Sequence, residues 1–432
     1  MADSRQIRRK ALLDRLFEGY DGPSFAIRMW DGLRWSCRDS EAPVCTIVIE
    51  NPQALAALVT KPNELTLGEA FIHGGLDVEG DIFSVFAIAE HLFSNPRRLH
   101  RRLVEKLAIT VFSLGQWIKH GTVSSRRRDR ASIAYHYDQP VDFFEPWLGK
   151  SLVYSCAYFK KPGDSLDQAQ RQKLDLVCQK LRLRPGERFL DIGCGWGSLV
   201  LHAAGSRRAE ACGVTLSHEQ ADTTRHRIQL ASLNDACRAE LCDYRELDRS
   251  PEPFDKIASV GMFEHVGLKN LPLYFGIAYR LLKPGGLMLN HAIARSPLSP
   301  IRPDSFVGRY VFPDGQLVTL SETLTAAESQ GFEVRDVENL REHYEMTLRR
   351  WVDGLTRSKE ALLRRVSRTT YRIWLLYMAG SAAAFRRGDI AVYQALLSRP
   401  DKGKCGLPLT RADLYAAESA GLRSSIAAAP MP

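Results

Sequence analysis

The chain has 432 residues, 45% of them hydrophobic, a formal net charge of +9 and nine cysteines. That is apolar mass for two or three packed domains, which excludes a disordered or low-complexity protein. An odd cysteine count with no C-x-x-C pair argues against a disulfide scaffold and a zinc site, so no metal is expected.

In chain order, "MADSRQIRRKALLDRLF" carries charges but no continuous apolar core of a secretion signal, so a cytoplasmic location is expected. Residues 1–120 hold short alternating runs, "CTIVIENPQALAALV" and "LTLGEAFIHGGLDVEGDIFSVF", punctuated by Gly and Pro, and read as a small α+β domain. Between 97 and 130, Arg97, Arg98, Arg101, Arg102, Lys106, Lys119, Arg126, Arg127, Arg128 and Arg130 face only Glu105 and Asp129. With Leu99, Leu103, Val111 and Trp117 interleaved, the run suits either a solvated helix face or an anionic lipid surface. No RNA-binding or helix-turn-helix signature accompanies it, so no nucleic acid partner is expected. Residues 121–150 read as a basic linker and a helical entry to the next domain.

From 151 to 432 the pattern changes. "RFLDIG", "AEACGVTLS", "CRAELCDY", "DKIASVGM" and "GLMLNHAI" alternate with helical stretches, the rhythm of an α/β Rossmann-like, mostly parallel sheet. The tail from 345, "MTLRRWVDGLTRSKEALLRRVSRTTYRIWLLYMAGSAAAFRRGDIAVYQALL", is rich in helix formers and reads as a C-terminal helical cover. Its most apolar part, "IWLLYMAGSAAAF", is shorter than the roughly 18 residues of a bilayer span.

The sharpest local signal is "FLDIGCGWGSLVLHAA" at 189–204: a strand, an acid at its end, a Gly-rich turn and a helix. A dinucleotide fingerprint needs glycine at 198, where this chain has serine. An acid before G-x-G, here Asp191, instead resembles the pattern of S-adenosylmethionine methyltransferases, where the carboxylate serves an organic cation. After the next strand, "VTLSHEQ" lacks an acid for the ribose and offers Thr215 and Gln220. Cys156, in "VYSCAYF", is by its neighbours alone an inert buried thiol as readily as a functional one.

Taken together, "YSCAYF", "CDYREL", "FDKIASVGMFEHVG", "LLKPGGLMLNHAI", "RYVFPDGQL", "HYEMTL" and "AAAFRRGDIAVYQALLSR" resemble the cyclopropane fatty acid synthase family, kin of the mycolic acid cyclopropane synthases. The resemblance covers residues 131–400, and "LTLGEAFIHGGLDVEGD" is similar to the N-terminal lipid-associated domain of bacterial members. It implies a class I methyltransferase fold with S-adenosylmethionine at Tyr154, Ser155, Asp191, Gly193, Cys194, Gly195, Gly197, Thr215, Leu216, Gln220, Asp243 and Tyr244. It also implies a bicarbonate ion held by Cys156, Glu264, His291, Tyr344 and the backbone of Ile293. Many relatives carry cysteine where this chain has Ser381, so that position is left out of the catalytic set.

The implied chemistry needs such an anion. A cis alkene accepts the sulfonium methyl and becomes a carbocation; a proton must then leave the new methyl for a ring to close, and a base fixed beside the cation removes it. Tyr158, Phe159 and Phe263 are candidates to steady that cation. The expected substrate is an unsaturated phospholipid at the inner membrane face, with homodimerisation left open. Exposing about nine methylenes to water would cost about 7 kcal/mol, so a protein-lined tunnel is expected. Alternatives are a relative that leaves a methyl branch, a small-amine methyltransferase, and a non-catalytic lipid-binding protein.

Overall fold

The computed structural model of the chain describes residues 4–60, 63–93, 140–249, 252–299, 305–312 and 315–415. The basic run at 97–130 lies outside the described residues. Contacts divide the chain into two compact units. The first comprises Met1–Trp147, Leu298–Gly315 and Tyr344–Asp389; the second comprises Leu148–Pro297, Gln316–His343 and Ile390–Pro432. The units therefore interleave in sequence, and the helical residues 344–389, expected as a cover of the 151–432 domain, group with the N-terminal residues.

In the first unit, β1 (Phe25–Met29), β2 (Arg34–Ser36), β3 (Cys45–Ile49) and β4 (Leu76–Gly80) form a sheet ordered β2-β1-β3-β4, with only β1 and β3 parallel. Phe25, Ile27 and Met29 alternate inward along β1, and Phe17 packs edge-on to Phe25 at 5.0 Å. The helix Arg368–Arg387 starts at a Ser367 cap and ends at Gly388, which takes a left-handed φ of 79°. From it, buried Arg372 donates to the carbonyls of Phe71 and Leu76 and pairs with Asp77, so its charge is fully engaged. Trp147 packs against Trp351 and Trp374 at 5.8 and 5.6 Å.

The second unit carries a seven-stranded sheet: β5 (Arg188–Ile192), β6 (Glu210–Thr215), β7 (Cys237–Leu241), β8 (Phe254–Val260), β9 (Leu282–Arg295), β10 (Glu333–Asn339) and β11 (Ile390–Ser398), ordered β10-β11-β9-β8-β5-β6-β7. The strands from β9 to β7 pair in parallel, as the rhythm of the sequence predicts, whereas β11 pairs antiparallel with both β9 and β10. Period two divides β5 between two cores: Leu190 and Ile192 join Tyr274, Phe275 and Leu281, while Phe189 joins Leu174, Val177 and Val200.

β11 corrects an expectation of helix over "IAVYQALL". Ile390, Val392 and Tyr393 favour a pleated surface, and the strand is buried almost along its length between two neighbours, which removes the polar/apolar alternation that would reveal it. Among the described residues, no helix is long and apolar enough to cross a membrane.

Gly354, inside the helix Arg341–Arg357, faces the Trp147 backbone: an added Cβ would lie 2.9 Å from Trp147 Cα. Ala would gain about 1 kcal/mol in helix propensity, but overpacking against backbone costs about 1–3 kcal/mol. Gly354→Ala is therefore expected to lower the urea midpoint, and a variant more stable than wild type would show that this contact yields freely.

Candidate active site

The turn after β5 is shaped by three left-handed glycines, Gly193 (φ 82°), Gly195 (φ 54°) and Gly197 (φ 81°). They serve two purposes. A Cβ at Gly193 would meet Met262 at 2.5 Å and one at Gly197 would meet Thr224 at 2.3 Å, so those two allow close packing. A Cβ at Gly195 would meet nothing within 4 Å, which leaves that side of the turn open to a ligand near the start of the helix Ser198–Arg207. Buried Cys194 is held by its amide, which donates with that of Gly193 to the carbonyl of Val214.

Asp191, one residue before the end of β5, is 2% exposed and has Oδ1 without a hydrogen-bond partner. Burial pushes its carboxyl up to about 7, opposed by the Lys173 ammonium. Lys173 Nζ donates to Ser155 Oγ at 3.0 Å, and Gln170 Nε2 donates to the carbonyls of Ser155 (2.9 Å) and Val153 (3.3 Å). The helix Leu166–Lys180 thus pins the stretch carrying half-buried Tyr154, Ser155 and Cys156.

Thr215 and Gln220 are brought together: Thr215 Oγ1 donates to Gln220 Oε1 at 2.7 Å, with Leu216 between strand and helix and Ser217 capping the helix His218–Leu230. Asp243 is fully buried, and its oxygens accept a fork of bonds from Arg245. Tyr244 packs edge-on to Tyr274 at 5.5 Å.

Of the residues assigned to the anion, Cys156, Glu264, His291 and Ile293 lie in the second unit. Glu264 Oε1 accepts from the Ile293 amide at 2.7 Å, while Oε2 is buried without a partner. The Ile293 amide is therefore spent on orienting Glu264. Burial pushes the Glu264 carboxyl up to about 7, against the pull of that amide. On β9, His291 stands directly across from Gln394 on β11, and Gln394 Nε2 lies 3.1 Å from His291 Nδ1. With Gln394 donating, the ring proton sits on Nε2, which is buried without a partner. Burial first, then Lys173 and Lys180, drive His291 down to about 3, so the ring stays neutral. Cys156 is fully buried, its Sγ 3.2 Å from the carbonyl of Ala157.

Tyr344 belongs to the first unit, where its ring lies 4.6 Å from that of Phe385. Tyr158 stacks on His343 at 4.7 Å, and the Phe159 amide donates to His343 Nδ1 at 3.0 Å. Phe263 is packed into the core against Tyr274 and Phe275. Sequence reasoning missed Lys173, Gln170, Arg245 and Gln394. For the first two a signal exists: they share the helix face of Ala169, Leu174 and Val177, where a polar residue must be buried.

Residues 124–395 match the family model described as mycolic acid cyclopropane synthetase, and residues 12–95 match a domain of unknown function. A probable fatty acid methyltransferase from Pseudomonas putida is 38% identical over 405 residues, spanning 90% of this chain and 95% of its own. The cyclopropane-fatty-acyl-phospholipid synthase of Escherichia coli is 37% identical over 61% of this chain and 66% of its own. The mycolic acid cyclopropane synthase CmaA1, solved in complex with SAH and CTAB, superposes with a TM-score of 0.58 at 32% identity, over 62% of this chain and 97% of its own.

Glu264 has a folded pKa raised from 4.5 to about 7, so folding favours its protonated form, and the stability this carries is lost as pH rises from about 4.5 through 7. Glu264→Gln keeps an acceptor for Ile293 and cannot ionise. Its stability relative to wild type is expected to climb by about 2–3 kcal/mol between pH 4 and pH 8 in urea titrations. A flat difference would place Glu264 in contact with water.

Proposed function

We propose a function from one premise: the chain belongs to the mycolic acid cyclopropane synthetase family. It is an S-adenosylmethionine-dependent methyltransferase that acts on lipid acyl chains. The finer reading is a cyclopropane synthase that acts on the cis double bond of unsaturated phospholipid chains, with bicarbonate as base. The observation that carries it is the pair of buried, unpartnered atoms Glu264 Oε2 and His291 Nε2. An acceptor and a donor, each buried without a partner, suit a small oxyanion that has both a hydroxyl and bare oxygens.

Two absent groups fit residues that are present. For S-adenosylmethionine, the free Oδ1 of Asp191 suits a cationic end and the open face of Gly195 suits close backbone approach, with Tyr154, Ser155, Gly193, Cys194, Gly197, Thr215, Leu216, Gln220, Asp243 and Tyr244 around them by sequence resemblance. When bound, the cofactor supplies an electrophilic methyl group and the anion a base for the proton that must leave. Glu264 would accept the hydroxyl of the anion and His291 Nε2–H would donate to its oxygen, each already oriented, by Ile293 and Gln394. Cys156 adds a thiol beside Ser155, and Tyr344 keeps its assignment to this set from the sequence. Docking on anionic membrane through Arg126, Arg127 and Arg128 rests on the charge pattern alone.

A second reading is a methyl- or methylene-branched product, favoured by the extent of the match to the fatty acid methyltransferase. The two products separate by proton NMR of extracted lipids, where cyclopropane ring protons stand apart upfield.

Glu264→Gln and Tyr344→Phe are expected to cut turnover by about a hundredfold or more while leaving S-adenosylmethionine affinity within a few-fold. Carbonate-free buffer should depress the wild type, with recovery on adding bicarbonate. Wild-type rates in both variants, together with indifference to bicarbonate, would overturn the anion assignment. Asp191→Ala should instead lose at least about tenfold in cofactor affinity, about 1.4 kcal/mol, and keep its thermal midpoint, because the lost carboxyl was costly to bury; undiminished binding would remove the cofactor assignment.

A further inference from the structure

Residues 154–159 bear side chains assigned to both ligands, Tyr154 and Ser155 to the cofactor and Cys156 to the anion, and the second unit holds them from two sides. One side is the helix Leu166–Lys180: Lys173 and Gln170 donate to Ser155, and the Ala169 carbonyl accepts from the Tyr158 amide at 3.1 Å. The other is the connection that leaves β10, residues 340–343. There the Phe159 amide donates to His343 Nδ1 at 3.0 Å, and the His343 ring stacks on Tyr158 with centroids 4.7 Å and planes 17° apart. The Phe159 ring lies nearly parallel to the same imidazole, at 13° and 6.4 Å. Cys156 Sγ lies 3.8 Å from the carbonyl of Leu340.

His343 is itself held by the sheet. The Leu340 amide donates to the Val392 carbonyl on β11 at 2.8 Å, and Asn339 Oδ1 accepts from the Arg341 amide at 3.0 Å where the next helix opens. A ring nitrogen that accepts from an amide carries no proton, so this contact exists only while the imidazole is neutral, with its proton on Nε2. Burial lowers the pKa of the ring from its ordinary value, opposed by Glu338 and Glu342. Both carboxylates are ion-paired, with Lys180 and Arg341 respectively, and the ring is neutral near pH 7.

We propose that His343 is a positioning residue for the anion: by accepting from the Phe159 amide and stacking on Tyr158, it fixes the backbone that sets the Cys156 thiol. This rests on the function proposed above. The two anchors divide the labour along one short stretch, since the helix Leu166–Lys180 holds Ser155, assigned to the cofactor, without using His343. Loosening the imidazole therefore costs the anion and spares S-adenosylmethionine, a separation that a general loss of structure would not give.

The test compares the full chain with His343→Phe, which keeps an aromatic face and loses the acceptor, and His343→Asn, whose Oδ1 stands at the same remove from Cβ as Nδ1. Bicarbonate is titrated into carbonate-free buffer while turnover on vesicles of dioleoyl phosphatidylglycerol is followed, and S-adenosylmethionine affinity is measured by calorimetry. In His343→Phe the half-saturating bicarbonate should rise by about tenfold, the effect of one lost acceptor, with cofactor affinity kept within a few-fold. His343→Asn should stay within about threefold of wild type. Independently of turnover, nitrogen-15 spectra of the histidine-labelled chain near pH 7 should show His343 Nδ1 unprotonated, and this carries the test if Phe does not fold. An unmoved bicarbonate requirement in His343→Phe, equal shifts in both variants, an equal loss of cofactor affinity, or a proton on Nδ1 would each overturn the inference. A wild type indifferent to bicarbonate would instead overturn the function on which it rests.

Discussion

A carboxylate removed from water must be given a counter-charge or a proton, and beside the ion-paired Asp243 the second unit buries two carboxyl groups that have an oxygen without a partner. Asp191 and Glu264 are both driven up to about 7 by burial, yet they stand in different company. Asp191 has an ammonium acting on it; Glu264 has only amide donors. Asp191 lies near the C-terminal end of β5 and Glu264 in the turn that follows β8, at the crevice where the strand order of a parallel sheet reverses.

The sheet also aims the side chains. Direct pairing of His291 with Gln394 across β9 and β11 places the Gln394 amide against His291 Nδ1 as a consequence of strand register. A one-residue slip of β11 would turn Gln394 to the opposite face, away from His291. Likewise the Ile293 amide that orients Glu264 is a backbone group of β9, whose position is set by the ladder. Precision at these atoms thus comes from backbone hydrogen bonding, which is stiffer than any loop.

Much of this was legible in the sequence. Five parallel strands announced themselves by their alternation with helices, and Asp191 with the glycines by their order at a strand end. β11 was not legible, because a strand buried on both faces loses its period and its residues then compete on propensity alone. Lys173 and Gln394 stayed hidden for a related reason. A buried polar residue is identified by its partners, and these lie far along the chain: Ser155 and Asp191 for Lys173, His291 for Gln394. The interleaving of the two units was equally out of reach, since it depends on which apolar faces meet and not on where composition changes.

Under the proposed roles, the surroundings of the two acids bear differently on their chemistry. A group that receives a cation gains attraction in its charged form; at Asp191 burial pulls away from that form and the Lys173 ammonium pulls toward it. A group that passes a proton should be close to balance between its two forms, because the cost of either direction is then small. Glu264, at about 7 and with one bare oxygen, is close to that balance. His291 at about 3 lies far from it, so the ring is confined to donating a hydrogen bond and cannot compete for the proton. Acceptance and donation are thereby assigned to different residues by burial and neighbours, before any ligand arrives.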